Sequence, residues 1–275
     1  MYGSVTIVSS QKARIPTEPG EDMILIDRRR GLVALLDAVG GRGNWRVAAA
    51  EAVRTIRAGW KDTALAQGMA REETLPILIE RADARVASLA VPEGQRPPGT
   101  TIVLAAFSSN QMAYAHVGDS RIYLLRDGQL CRLTEDDGYF PFAVQKGWLN
   151  QEDSLRIEQA MHASSLSEED LKHFHLRNKI TCAVGWSDFR VHTGTLLLLE
   201  GDRLLFCTDG IHDNLTDLEI EATLKKEPIA TSARGLVRTA HQRSRQRGHL
   251  RAKPDDISAV VTSYQARPGI RLSNG

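Results

Sequence analysis

Apolar positions along this chain follow two different periods. In the first 37 residues they gather in short runs, "SVTIVSS", "DMILID" and "GLVALLD", that are rich in β-branched and aliphatic residues and too short for helices. Three strands are expected there. The spacing then lengthens. "NWRVAAAEAVRTIRAGW" sets Val47, Val53, Ile56 and Trp60 along one side behind a possible cap at Asn44, and "REETLPILIERADARVASLA" repeats the pattern. These predict a helix pair. From residue 100 short runs return as "TTIVLAAFSS", "QMAYAHV", "RIYLLRDG" and "QLCRLT", joined by polar turns that include Asp127-Gly128, and they predict an antiparallel meander. Residues 135–178 lose strand character. "KITCAVG", "TLLLLEG" and "DRLLFCTDG" restore it, two helices are expected near 216–226 and 230–246, and "ISAVVTSY" reads as the last strand. Such an order suggests an α+β chain with two sheets packed face to face and helices outside.

Composition narrows the function classes. The 275 residues are 42% hydrophobic, enough for one large domain, and a single domain over residues 1–265 with a polar tail at 266–275 is expected. The 35 basic and 34 acidic residues nearly cancel, which argues against a general nucleic-acid or membrane-surface binder. Cys131, Cys182 and Cys207 are odd in number and widely spaced, so neither a disulfide framework nor a zinc site is implied. With no signal peptide or membrane-length apolar window, a soluble cytoplasmic protein is expected. The four tryptophans read as core or interface anchors. The histidines at 162, 173 and 175 and the run "HQRSRQRGHLRAK" read as solvated surface.

Candidate chemistry lies where apolar runs end on acids. "GLVALLD" stops at Asp37, "DRLLFCTDG" at Asp209, and "KPDDISAVV" sets Asp255 and Asp256 at the mouth of a strand. If these strands pack together, the carboxylates converge at one end of the sandwich, and Glu21 and Asp22 head the strand expected beside residues 31–37. Converging carboxylates repel one another, and a divalent cation relieves them. An oxygen-only donor set selects hard ions such as Mg2+ or Mn2+. Two such ions about 4 Å apart repel by roughly 16 kcal/mol at an effective dielectric of 20, so a dinuclear site needs several anionic ligands.

Taken in order, "GED", "LLDAVGG", "GTTIVLAA", "AYAHVGDSRIYLLRDGQLCRLTEDD", "RNKITCAVG", "GDRLLFCTDG" and "DDISAVV" resemble the metal-dependent protein phosphatase 2C family in its bacterial serine/threonine form, over about residues 20–263. The resemblance implies a four-layer α-β-β-α sandwich of two mostly antiparallel sheets flanked by helix pairs. It also implies hydrolysis of phosphoserine and phosphothreonine in protein substrates by a metal-activated water, with two or three Mn2+ or Mg2+ ions, and a cognate serine/threonine kinase as a plausible partner. Carried over by motif, Asp37, Asp209 and Asp255 form the catalytic metal core, with the Ala38 carbonyl and Asp22 among the ligands and Asp119 on a third ion. Glu21 and Asp256 stand behind, acting through water or hydrogen bonds. The second reading is a non-catalytic phosphatase-like binding module, and for Asp119 it is a turn residue paired with Arg121.

Departures from the family pattern are specific. Asp-Gly becomes Asp37-Ala38, a change expected to alter the backbone. "NED" becomes "GED". Thr17 stands where the phosphate-gripping Arg is usual, leaving Arg14 as the nearest substitute, and Val39 takes the place of the histidine acid of eukaryotic members. Residues 138–178 correspond to a flap beside the active site. It is expected to be polar and loosely packed, to carry a short helix from Ser167, and to add little stability.

Overall fold

A computed structural model describes residues 3–40, 46–66, 70–91, 94 and 97–266. The first strands are β1 (Gly3–Lys12), β2 (Met23–Asp27), β3 (Leu32–Leu36) and the short β4 (Ala38–Val39). The helices α1 (Arg46–Ala66) and α2 (Arg71–Ala87) follow. Next come β5 (Gly99–Thr100), β6 (Ile102–Ser108), β7 (Gln111–Val117), β8 (Arg121–Arg126) and β9 (Gln129–Arg132). The flap holds α3 (Tyr139–Gln145), α4 (Gln151–Glu158) and α5 (Glu168–Phe174). The chain closes with β10 (His192–Leu197), β11 (Arg203–Cys207), α6 (Asp209–His212), α7 (Asp217–Lys226), α8 (Ile229–Ser244) and β12 (Ile257–Ala266). The expected cap at Asn44, Trp45 and the tail beyond Ala266 lie outside the described residues. No described helix is long and apolar enough to cross a membrane.

Two five-stranded sheets, ordered β1-β12-β11-β8-β9 and β10-β7-β6-β3-β2, pair antiparallel throughout. They face each other across a core containing Val33, Leu35, Val103, Ile122, Leu204, Phe206 and Val260. The unbroken apolar run of β3 follows from this layering. Val33 and Leu35 point between the sheets, while Leu32, Ala34 and Leu36 point outward under α1 and α2. On the opposite outer face Leu205, Cys207 and Val261 pack beneath α7 and α8 through Ile220, Leu224 and Leu236. This is the expected four-layer sandwich.

Four local expectations are corrected. The meander is split: β6 and β7 lie in one sheet, β8 and β9 in the other, and the chain crosses between sheets at Gly118. Gly118 has φ 93°, and a Cβ there would stand 2.7 Å from the Thr101 side chain, so the crossing needs glycine. "KITCAVG" is no strand. Its backbone makes only isolated bridges, Thr100 with Val184 and Gly138 with Ile180. In α1, Val47 is exposed, because the smaller Ala48, Ala49 and Ala52 take the buried side. The flap is not loose either. Phe140, Ile157, Ala160 and Phe174 form a core of its own, and a capping box between Ser167 and Asp170 starts α5.

Candidate active site

Each acid sits where a strand ends, and backbone contacts fix it there. The Asp37 amide donates to Thr101 Oγ1 at 3.2 Å, and its carbonyl accepts from the Thr101 amide at 2.8 Å and Thr100 Oγ1 at 2.9 Å. From the other sheet, Asp209 opens α6 directly after β11. Thr208 beside it ties three pieces together, donating its hydroxyl to Asp22 Oδ2 at 2.9 Å and accepting from the Ser258 amide at 3.2 Å. Gly210 lets α6 press on β12, since a Cβ there would run into the Asp256 carbonyl. Asp256 holds the β1–β2 connection by accepting from the amides of Arg14, at 2.6 Å, and Glu21.

Asp119 lies in the crossing between sheets, and its carbonyl contacts His212 Nε2 at 3.0 Å. Its side chain faces the other acids. Arg121, the partner considered for it, instead engages Asp136 at 2.6 Å and Glu158. Ala38 is buried opposite Thr100 in the β4–β5 pair and does not need the left-handed backbone, which among described non-glycine residues only Ser109 and Asp127 adopt. An alanine is therefore accommodated at this position without left-handed strain.

A cleft of about 570 Å3 gathers Arg14, Glu21, Asp37, Ala38, Asp119, Asp209, Asp255 and Asp256. Asp22 is not part of its lining. It sits beneath, on Thr208, close enough for its charge to act on Asp37. Burial, followed by the charges of Asp22, Asp209 and Asp255, holds Asp37 well above the usual carboxylate range. Burial pushes Asp22 up to about 8 and Asp209 to about 7, against the opposing pull of Lys253 on Asp209. Asp119 is raised by burial and then by Asp209. Glu21 is raised by burial and by Asp256 and Asp255, and Arg14 opposes that rise.

This donor set fits hard divalent ions in its chemistry. It is anionic and all-oxygen, and the buried Asp209 Oδ1 has no hydrogen-bond partner. Its side chains do not stand in ready-made coordination: among the described residues no group of three or more acidic, histidine or cysteine side chains is placed to hold an ion. Lys253 accounts for part of this, because its ammonium contacts Asp209, Asp213 at 2.8 Å and Asp255 at 3.1 Å.

Lys253 is not evident from the sequence, where it closes a charged run, residues 241–253, that reads as solvated surface. The structure corrects that assignment, because α8 ends at Ser244 and the fully buried Arg251 donates to the carbonyls of Glu158, Ala160, His212 and Leu215. A basic residue two positions before the Asp255 motif was the available signal. Trp186 was also misplaced, since it lines the cleft rather than a core. Cys131 is exposed, and Cys182 and Cys207 are buried. His162 and His175 are exposed, while His173 is half-buried with Nδ1 2.6 Å from the Tyr139 hydroxyl.

The family model of protein phosphatase 2C matches residues 16–252. Protein phosphatase PhpP of Streptococcus pneumoniae is 28% identical over 214 residues, 77% of this chain and 80% of that protein. Serine/threonine protein phosphatase PstP of Mycobacterium tuberculosis is 31% identical over 171 residues, 59% of this chain and 27% of that protein. Among solved structures, the catalytic domain of PstP in complex with two manganese ions aligns with TM-score 0.73 at 23% identity, covering 96% of this chain and 99% of that one. The serine/threonine phosphatase of S. agalactiae aligns with TM-score 0.75 at 23% identity, covering 94% and 99%. These structural likenesses establish the shared sandwich.

Proposed function

Because this chain belongs to the protein phosphatase 2C family, we propose that it is a metal-dependent phosphatase of phosphoserine and phosphothreonine in proteins. The observation that carries the reading is the convergence of Asp37, Asp119, Asp209 and Asp255, from both sheets and the crossing between them, on one open cleft. Acids this close disfavour their own ionisation, and a fold that retains them needs a cation to use them. Bound Mn2+ or Mg2+ would supply Lewis-acid activation of water and neutralise phosphoryl charge.

The chain's own residues then divide the work. Asp37, Asp209 and Asp255, together with the Ala38 carbonyl, would hold the core ions. Asp22, seated on Thr208 beneath the cleft, reinforces the anionic field around Asp37. Asp119 serves a further, weaker position. Asp256 and Glu21 fix the β1–β2 connection, which carries Arg14 to the cleft rim as the side chain for the substrate phosphate. Trp186 borders the same cleft and offers an apolar wall to the residue that bears the phosphate. The physiological partners are phosphorylated proteins, with a serine/threonine kinase as the source of their phosphate.

The test is hydrolysis of a phosphothreonine peptide and of a generic aryl phosphate with Mn2+, with Mg2+ and with chelator. Turnover that depends on metal supports the reading, and no turnover under any condition sinks it. One observation favours the second reading, a non-catalytic phosphatase-like binding module. Lys253 already neutralises part of the carboxylate cluster, as a cation in a metal-free protein would.

A further inference from the structure

Lys253 reaches the cluster by construction. Its amide donates to Asn214 Oδ1 at 3.0 Å, its carbonyl accepts from Asn214 Nδ2 at 3.0 Å, and Asn214 Nδ2 also donates to the Gly210 carbonyl at 2.9 Å. Asn214 is fully buried. This clamp ties the Lys253 backbone to the turn that carries Asp209, and the aliphatic stem brings the ammonium inward. There Nζ contacts Asp209 Oδ2, Asp213 Oδ2 at 2.8 Å and Asp255 Oδ2 at 3.1 Å. The side chain is only 18% exposed, so these contacts are shielded from solvent. Two of the three carboxylates are the ones assigned to the metal core.

We propose that Lys253 is a resident counter-cation of this site: its ammonium bridges Asp209 and Asp255 in the metal-free protein and must leave them when a divalent ion binds. The inference rests on the metal-binding role assigned to those two residues above. An ammonium and a dication repel each other at contact distance and compete for the same oxygens, so both cannot occupy the bridge. Asp213 supplies the means of exchange. It lies 3.4 Å from Arg177 Nε as well, so it keeps a positive partner whether or not Lys253 moves. The chain thereby gains a folded metal-free state whose acids are partly neutralised, and gives up metal affinity in return.

The test compares wild type with Lys253→Met, which keeps the stem and removes the charge, and with Lys253→Arg, which keeps the charge. Mn2+ binding to chelator-treated protein is measured by calorimetry. Lys253→Met should bind Mn2+ about tenfold or more tightly than wild type and melt at a lower temperature without metal, while Lys253→Arg stays near wild type. Equal, weaker or undetectable Mn2+ binding by Lys253→Met overturns the proposal. Wild-type protein provides a check that needs no variant. Acylation of Lys253 by an amine-reactive ester, followed by mass spectrometry, should accelerate when Mn2+ is added, and an unchanged or slower rate overturns the displacement. Failure of the phosphatase reading looks different: tighter Mn2+ binding by Lys253→Met with no hydrolysis by any form refutes catalysis and leaves the counter-cation standing. Metal-dependent hydrolysis with unchanged Mn2+ affinity in Lys253→Met refutes the counter-cation alone.

Discussion

At the scale of single residues, the site is a set of acids held against their own chemistry. Asp209 is buried and Asp37 half-buried among like charges, so replacing either by Asn should remove most metal-dependent turnover while leaving the fold intact. A loss of about a hundredfold is expected in kcat on an aryl phosphate at saturating Mn2+, with an unchanged circular dichroism spectrum. For Asp37→Asn the metal-free melting temperature should stay level or rise, because the substitution removes a repelling charge. The raised carboxylates also set a pH dependence. Asp22 near 8 and Asp209 near 7 hold protons in the folded chain that the unfolded chain releases near pH 4. Between those values the native state binds more protons than the unfolded one, so stability falls as pH rises. Denaturant titration of chelator-treated protein should therefore show a loss of stability from about pH 4 to about pH 8, and saturating Mn2+ should flatten the slope. Asp37 and Asp209 were legible in the sequence because each ends an apolar run, and Asp22 because it heads one. Lys253 was not, because its role depends on how a turn folds back and the charge run around it resembles surface.

At the scale of elements, local signals were read correctly wherever the physics is local. The Ser167–Asp170 capping box and the Asp127-Gly128 hairpin, with φ of 50° and 74°, follow from residues in direct sequence contact. Failures came where tertiary contacts decide. The pattern of "QMAYAHV" followed by "RIYLLRDG" is the same whether the two strands pair or part, and only Gly118 marks the crossing. Cys182, Ala183 and Val184 are buried like strand residues without joining a ladder. The flap reads as a loose segment because its charges dominate the sequence, yet Glu158 of α4 pairs with Arg121 of β8 and with Arg132 of β9 at 3.3 Å, so its polar residues fasten it to the sheet. Arg251 completes that attachment by joining the end of α4 to the α6 turn. Arg251→Met leaves four buried carbonyls without their donor and should cost about 3 kcal/mol or more, read as a lower denaturant midpoint. Arg251→Lys should not restore it, since an ammonium cannot reproduce the planar fork that reaches both elements.

At the scale of the whole molecule, the cleft lies where the two sheets meet at one end of the sandwich. Asp37 comes from β3 in one sheet, Asp209 and Asp255 flank β11 and β12 in the other, and Asp119 comes from the chain that passes between them. Among these carboxylates Lys253 joins Asp209 to Asp255, which flank strands of the same sheet. A cation held by acids from both sheets is therefore a cross-link of the sandwich, as well as a source of chemistry. Binding to the native state alone stabilises it by about 2.7 kcal/mol at a hundred times the dissociation constant. For a chain of 275 residues each kcal/mol moves the melting temperature by about 2–4 °C, which makes the expected rise roughly 5–10 °C. With the proposed ligands drawn from both sheets, scanning calorimetry across a series of Mn2+ concentrations should show one transition moving upward with metal. Asp37→Asn combined with Asp209→Asn should abolish the shift by taking one acid from each sheet. A transition that splits, with only part of the heat responding to Mn2+, would place the ion within a single sheet and remove Asp37 from the core.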